Sequence, residues 1–240
     1  VCAKADVSDF SLIGMSEEKA LYRAKTEVKI GTPKIYVFET GNWEREDASN
    51  GKPFVTINDA IDHINEEPSG YYAIRLEDDI PSAGTIKSIK TNVGKTVVIG
   101  AHEDTPHILN FTGTMIIDRC GVEIRNVDLR NSASANASVT VKSNGYIKLY
   151  NTAINALTTE AGTKVYIEND ANSDIDVVIK GTVKCNGEFV VKDGAVFWCK
   201  SAVTVKDFTL DGENAQLRIL TGKSFTINGN VNIVFASFIF

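Results

Sequence analysis

From about residue 70 to residue 234 the chain is a succession of short runs in which apolar and polar residues alternate. Ala73-Ile74-Arg75-Leu76, Val122-Glu123-Ile124, Ile147-Lys148-Leu149, Val165-Tyr166-Ile167, Val203-Thr204-Val205 and Val231-Asn232-Ile233 are examples. A period of two puts successive side chains on opposite faces, so each run predicts a strand with one buried face. Steps such as Asn144-Gly145, Asn186-Gly187, Asp193-Gly194, Asp211-Gly212 and Gly229-Asn230 separate the runs and mark tight turns.

One segment has a different period. In residues 54–66 (FVTINDAIDHINE), Ile57, Ala60, Ile61 and Ile64 fall at i, i+3, i+4 and i+7, which predicts an amphipathic helix. Thr56 with Asp59 has the form of a capping box, and Pro68-Ser69-Gly70 ends the element. The first 50 residues are mixed. Residues 16–25 (SEEKALYRAK) predict a helix behind an N-cap at Ser16, residues 34–38 a strand, and residues 39–52 a polar loop. Two regions result: 1–50, helical and irregular, and 51–240, a repetitive β domain entered through the helix at 54–66.

The strands repeat. Ile74, Ile99, Ile124 and Leu149 lie 25 residues apart, and Asn126 and Asn151 follow the same offset. Beyond residue 150 the spacing tightens towards 20. Several strands per period of this length predict a solenoid, in which each coil buries its apolar face only against its neighbours. In such a stack Asn126 and Asn151 form a ladder at a coil corner. The rival fold is an antiparallel β-sandwich with Asn-Gly hairpins; the 25-residue offset and the single helix before the first strand favour the solenoid.

Composition agrees with many short strands. The chain has 240 residues, 43% hydrophobic and 23% charged, with 19 Asn, 20 Thr and 18 Gly against 5 Pro and 2 Met. No apolar run reaches the roughly 18 residues of a membrane span. The net charge is -6 and Lys and Arg are interspersed with acids, which argues against a nucleic-acid partner. Of the four cysteines, Cys120 and Cys185 fall on inward strand positions and read as buried thiols; Cys185–Cys199 remains open as a bridge if the two lie on neighbouring strands. Cys2 lies in Val1-Cys2-Ala3-Lys4-Ala5-Asp6, whose Ala-x-Ala followed by an acid has the shape of a signal-peptidase site and points to a secreted protein.

Residues 54–80 (FVTINDAIDHINEEPSGYYAIRLEDDI) followed by Gly84-Thr85-Ile86 resemble the entrance of right-handed parallel β-helix proteins of the pectate-lyase-like class. The likeness is greatest to β-helix modules of secreted or surface-attached, adhesin-like bacterial proteins. The resemblance implies an all-β, right-handed parallel β-helix solenoid whose open end is covered by the N-terminal amphipathic helix. It implies a secreted or cell-surface location in a bacterium. It leaves three activities open: an adhesin-like module that contacts a polysaccharide or host glycan, a polysaccharide lyase or glycoside hydrolase, and a passive spacer of a larger surface protein.

The candidate chemistry divides along the same lines. Alternation that turns Ile147, Leu149, Val165 and Ile167 inward turns Tyr146, Tyr150 and Tyr166 outward, where their rings can stack on sugars. Trp43 and Trp198 are further aromatic candidates. Asp78 and Asp79, and the acids from Asp170 to Asp176, offer oxygen ligands for Ca²⁺, and equally suit turns; no other cofactor is expected. Hydrolases of this fold carry Asn-x-Asp, Asp-Asp, Gly-His-Gly and Arg-x-Lys elements. Here Asn126-Val127-Asp128 follows Asp78-Asp79 in the wrong order and Gly-His-Gly is missing, so the balance lies with a non-catalytic module. The terminal Phe238-Ile239-Phe240, apolar and uncharged, suggests self-association or a further stretch of solenoid at that end.

Overall fold

Ile74, Ile99, Ile124 and Leu149, the column read from the 25-residue offset, are direct neighbours in register on four successive parallel strands. The column continues through Ile167, Val191 and Leu210, and all seven side chains are buried. Burying each contributes about 1.5–3 kcal/mol, and only stacking supplies the partner surface. This is a computed structural model, which describes residues 10–16, 19–24, 35–38, 51–90, 94–101, 106–130, 138–169 and 177–234. The chain divides into two units, Val1–Thr32 and Pro33–Phe240.

The second unit is a parallel β-solenoid of about six turns. Its first face stacks Gly70–Leu76, Lys95–Ala101, Gly121–Arg125, Tyr146–Tyr150 and Lys164–Glu168, then the second halves of Val183–Lys192 and Val203–Asp211, and Val231–Val234. The second face carries His107–Asn110 beside Val127–Arg130, then Ala153–Ile154, Val177–Ile179, Val196–Cys199 and Gln216–Ile219. The third carries Ile89–Lys90, Thr114–Asp118, Ser138–Lys142, Ala156–Thr159, the first halves of the two long strands and Phe225–Ile227. The antiparallel sandwich is thereby excluded. The corner between the first and second faces is built as the repeat suggested: Asn126 and Asn151 have φ of 52° and 43°, and Asn151 Nδ2 donates to Asn126 Oδ1 at 2.5 Å.

After residue 150 the coils are uneven. Tyr146 sits beside Lys164, Lys164 beside Glu188, and Glu188 beside Asp207. The segment between the first and third faces shortens: five residues lie between Tyr150 and Ala156, against twelve between Arg125 and Ser138.

The helix is Ile57–Glu66, with Ile57, Ala60, Ile61 and Ile64 buried in the main core. Thr56 caps it, accepting from the Asp59 N–H at 3.1 Å while its own hydroxyl donates to Asp59 Oδ2 at 2.7 Å. Phe54 belongs to the preceding strand, Lys52–Phe54, so the helix starts three residues later than expected. Two asparagines tie it to the first coil. Asn58 bonds Thr85 O and the Lys87 N–H, and Asn65 bonds Ser88 O and the Lys90 N–H, at 2.8–3.0 Å. At its C-terminus the buried Lys95 ammonium donates to Ile64 O at 2.5 Å, which also accepts the Glu67 N–H at 3.2 Å, and to Glu67 O at 2.6 Å.

Two expectations are corrected and one open pairing is resolved. Where a helix was expected over 16–25, Phe10–Ser16 and Lys19–Ala24 pair as antiparallel strands; helix propensity is a weak preference that pairing overrides. The strand Ile35–Phe38 pairs antiparallel with Gly70–Leu76, so the solenoid unit begins at Pro33 rather than at residue 51. Cys185 and Cys199 do not pair. Cys185 lies on the third face and Cys199 on the second, and these two and Cys120 are buried thiols. Cys2, Trp43, the acids 170–176 and residues 235–240 lie outside the described residues.

Candidate functional site

The outward side chains of the first face form rows that run across the strands. One row is Tyr71, Thr96, Gly121, Tyr146 and Lys164. The next holds Glu123, Lys148 and Tyr166, and a third holds Arg125, Tyr150 and Glu168. A parallel ladder in register makes this arrangement, because each outward residue stands beside its counterpart one coil away.

Gly121 shapes the centre of the first row. A Cβ on it would lie 2.0 Å from Tyr146 Cζ, so the phenol end of Tyr146 occupies the space that glycine leaves. The Tyr146 hydroxyl is 2.8 Å from Thr96 Oγ1, one strand further. The hydroxyl end of the ring is thus held down against the sheet. Tyr166 meets it edge-on, with centroids 6.4 Å apart and planes at 76°. The two residues are diagonal neighbours: Tyr146 is in register with Lys164 and Tyr166 with Lys148.

No protein-family model, curated protein or solved structure matches the chain. The chemistry of the face therefore rests on its own residues.

Tyr150 does not join the pair. The residue is 8% exposed, and the Arg125 guanidinium lies over its ring at 3.5 Å from the centroid. Burial pushes the Tyr150 hydroxyl well above its ordinary pKa. Tyr71 does join. It is 41% exposed, lies in the Tyr146 row, and its hydroxyl is 3.4 Å from Glu123 Oε2. Burial, then the Glu123 charge, raises its pKa. The sequence carried the signal for Tyr71. It precedes the inward Tyr72, Ile74 and Leu76 by alternation, and stepping by 25 from 71 reaches 96, 121 and 146.

Between the tyrosines sits a nearly buried carboxylate. Glu123 is 4% exposed although it points outward. Arg125 Nη2 approaches Glu123 Oε2 at 3.0 Å and Lys148 Nζ approaches Oε1 at 3.3 Å. A buried carboxylate needs such partners to offset its lost hydration. Glu168, on the neighbouring coil, has its pKa raised chiefly by burial.

Asp78 and Asp79 lie at the turn beyond Gly70–Leu76, away from the tyrosines. Asp78 Oδ1 accepts the Asp79 N–H at 2.7 Å; Asp79 Oδ1 accepts the Ile108 N–H at 2.7 Å and lies 3.5 Å from His107 Nδ1. Both carboxylates thus brace backbone turns. Among the described residues, no three His, Cys, Asp or Glu gather as a ligand set. Asn126 belongs to the corner ladder, and Asp128 accepts the Ala153 N–H at 3.0 Å and pairs with Arg130 at 2.9 Å. Trp198 points outward on the second face, with Arg218 5.2 Å and Lys200 5.7 Å from its ring centroid. Among the described residues, no helix is long and apolar enough to cross a membrane.

Proposed function

We propose that this chain is a glycan-binding, adhesin-like module of a secreted or cell-surface bacterial protein, built on a right-handed coil. One observation carries the reading: the Tyr146 ring is seated on Gly121 and tethered to Thr96, with Tyr166 edge-on beside it. A ring held in one orientation offers an apolar face to a pyranose at little cost in side-chain entropy. The resemblance of residues 54–86 to surface β-helix modules supports the location. The lyase reading is weaker on this face. It calls for a basic side chain available to take a proton, and Arg125, Lys148, Lys164 and Lys192 are all engaged with carboxylates.

The test is affinity electrophoresis of the chain through gels containing soluble polysaccharides. The expected result is retardation by at least one polymer, reduced at least tenfold in the Tyr146→Ala, Tyr166→Ala double variant with an unchanged melting temperature. A chain that no polysaccharide retards overturns the proposal.

A further inference from the structure

The charges around the tyrosines are arranged in closed pairs. Lys164 Nζ lies 3.3 Å from Glu188, and Lys192 Nζ 2.5 Å from Asp211. Arg125 and Lys148 converge on Glu123. At the near end of the face, Arg75 pairs with Glu77. Hydrogen bonds to Glu188 and Asp211 hold the Lys164 and Lys192 ammonium groups charged and occupied. Glu168 and Asp207 add two carboxylates on the same outward rows. Acids therefore equal or outnumber bases across the tyrosine face.

A uronate or sulfated sugar seated there would meet no uncommitted cation among these groups. It would have to displace a carboxylate from its partner, which at Glu123, 4% exposed, would strand a buried charge, and it would add like charge beside Glu123 and Glu168. An uncharged sugar needs only a ring face and hydroxyl partners, which the tyrosines supply. Resting on the glycan-binding reading above, we infer that this face selects neutral polysaccharides and rejects acidic ones. The geometry also sets the direction of the ligand. Tyr71 and Tyr146 share one row three strands apart, roughly 14 Å at the usual strand spacing, so a chain touching both runs across the strands, along the solenoid axis.

The experiment uses the whole chain in gels of neutral polymers (mannan, xyloglucan, galactan, β-1,3-glucan) and of acidic ones (polygalacturonate, heparin) at low ionic strength. The expected result is at least tenfold tighter retention by a neutral polymer than by either acidic one. Equal or tighter retention by an acidic polymer overturns the selectivity while leaving glycan binding standing; retention by none overturns both. A second arm uses Glu188→Gln with Asp211→Asn, at partly exposed positions where folding is not at stake. Releasing Lys164 and Lys192 should raise polygalacturonate binding at least tenfold, and 0.5 M salt should abolish the gain. A double variant that still ignores polygalacturonate shows that the ion pairs are not what excludes acidic sugars.

Discussion

A single missing Cβ organises the tyrosine face. Gly121 is not among the positive-φ residues of the described chain, so its role is space alone. Gly121→Ala would put a methyl group into the Tyr146 phenol, swing the ring off the sheet and break its bond to Thr96. The loss of one half-buried hydrogen bond costs about 0.5–1.5 kcal/mol. The fold should survive while glycan retention falls as far as in Tyr146→Ala. Retention equal to the parent chain would show that the ring position does not matter. Glu168 gives a second residue-scale outcome. Burial raises its pKa in the folded chain, so the folded state binds more protons than the unfolded state just above the ordinary carboxylate range, and stability falls as pH rises through that window. Glu168→Gln removes this penalty. It should raise the melting temperature at pH 7 relative to its effect at pH 4, and an effect equal at both pH values counts against the burial argument.

At the scale of elements, the helix Ile57–Glu66 and the first coil are joined by side chains that imitate a strand. Asn58 and Asn65 each offer an amide N–H and a carbonyl to the backbone of residues 85–90, replacing the ladder bonds that a neighbouring coil would supply. The apolar stripe beneath does the rest. Ile61→Asp would bury an unpaired carboxylate in the main core and should destabilise the unit by several kcal/mol, in the range of about 3–5 kcal/mol for uncompensated buried charge. An unchanged denaturation midpoint would remove the capping role. Lys95→Met keeps the length of the stem and deletes the ammonium, leaving Ile64 O and Glu67 O without that donor. About 1–3 kcal/mol should be lost, read as a shift in urea midpoint with unchanged slope.

Across the whole molecule, stability is shared between neighbours along the stack, so position along the axis should govern the cost of a mutation. Ile124 lies mid-column between Ile99 and Leu149 and is fully buried. Ile233, on the strand Val231–Val234, is 43% exposed, and Val231 is 53% exposed. Ile124→Ala should cost about 2–5 kcal/mol, while Ile233→Ala should stay within about 0.5 kcal/mol of the parent. Chemical denaturation of the two variants compares them directly. Similar losses at both sites would mean that the described strands at the far end are as tightly packed as the middle.

Much of this was legible in the residues because a solenoid repeats a local pattern. Alternation gave the inward column, the 25-residue offset gave its register up to Leu149, the 3.6-residue period marked the helix, and Asn126 and Asn151 marked a corner. Each of these depends on spacing along one chain segment, which a linear text preserves. Only the tertiary structure decided the rest. It set the uneven coil lengths after residue 150, paired Phe10–Ser16 with Lys19–Ala24 where local propensity favoured a helix from Ser16, and put Cys185 and Cys199 on different faces. It also sorted three outward tyrosines that look alike in sequence. Tyr150 went under Arg125, while Tyr146 went onto Gly121 beside Tyr166, with Tyr71 joining them. Those outcomes depend on what stands one or two coils away, 18 to 52 residues distant in the chain. Period determines which way a side chain points; its neighbours across the ladder determine whether it remains accessible.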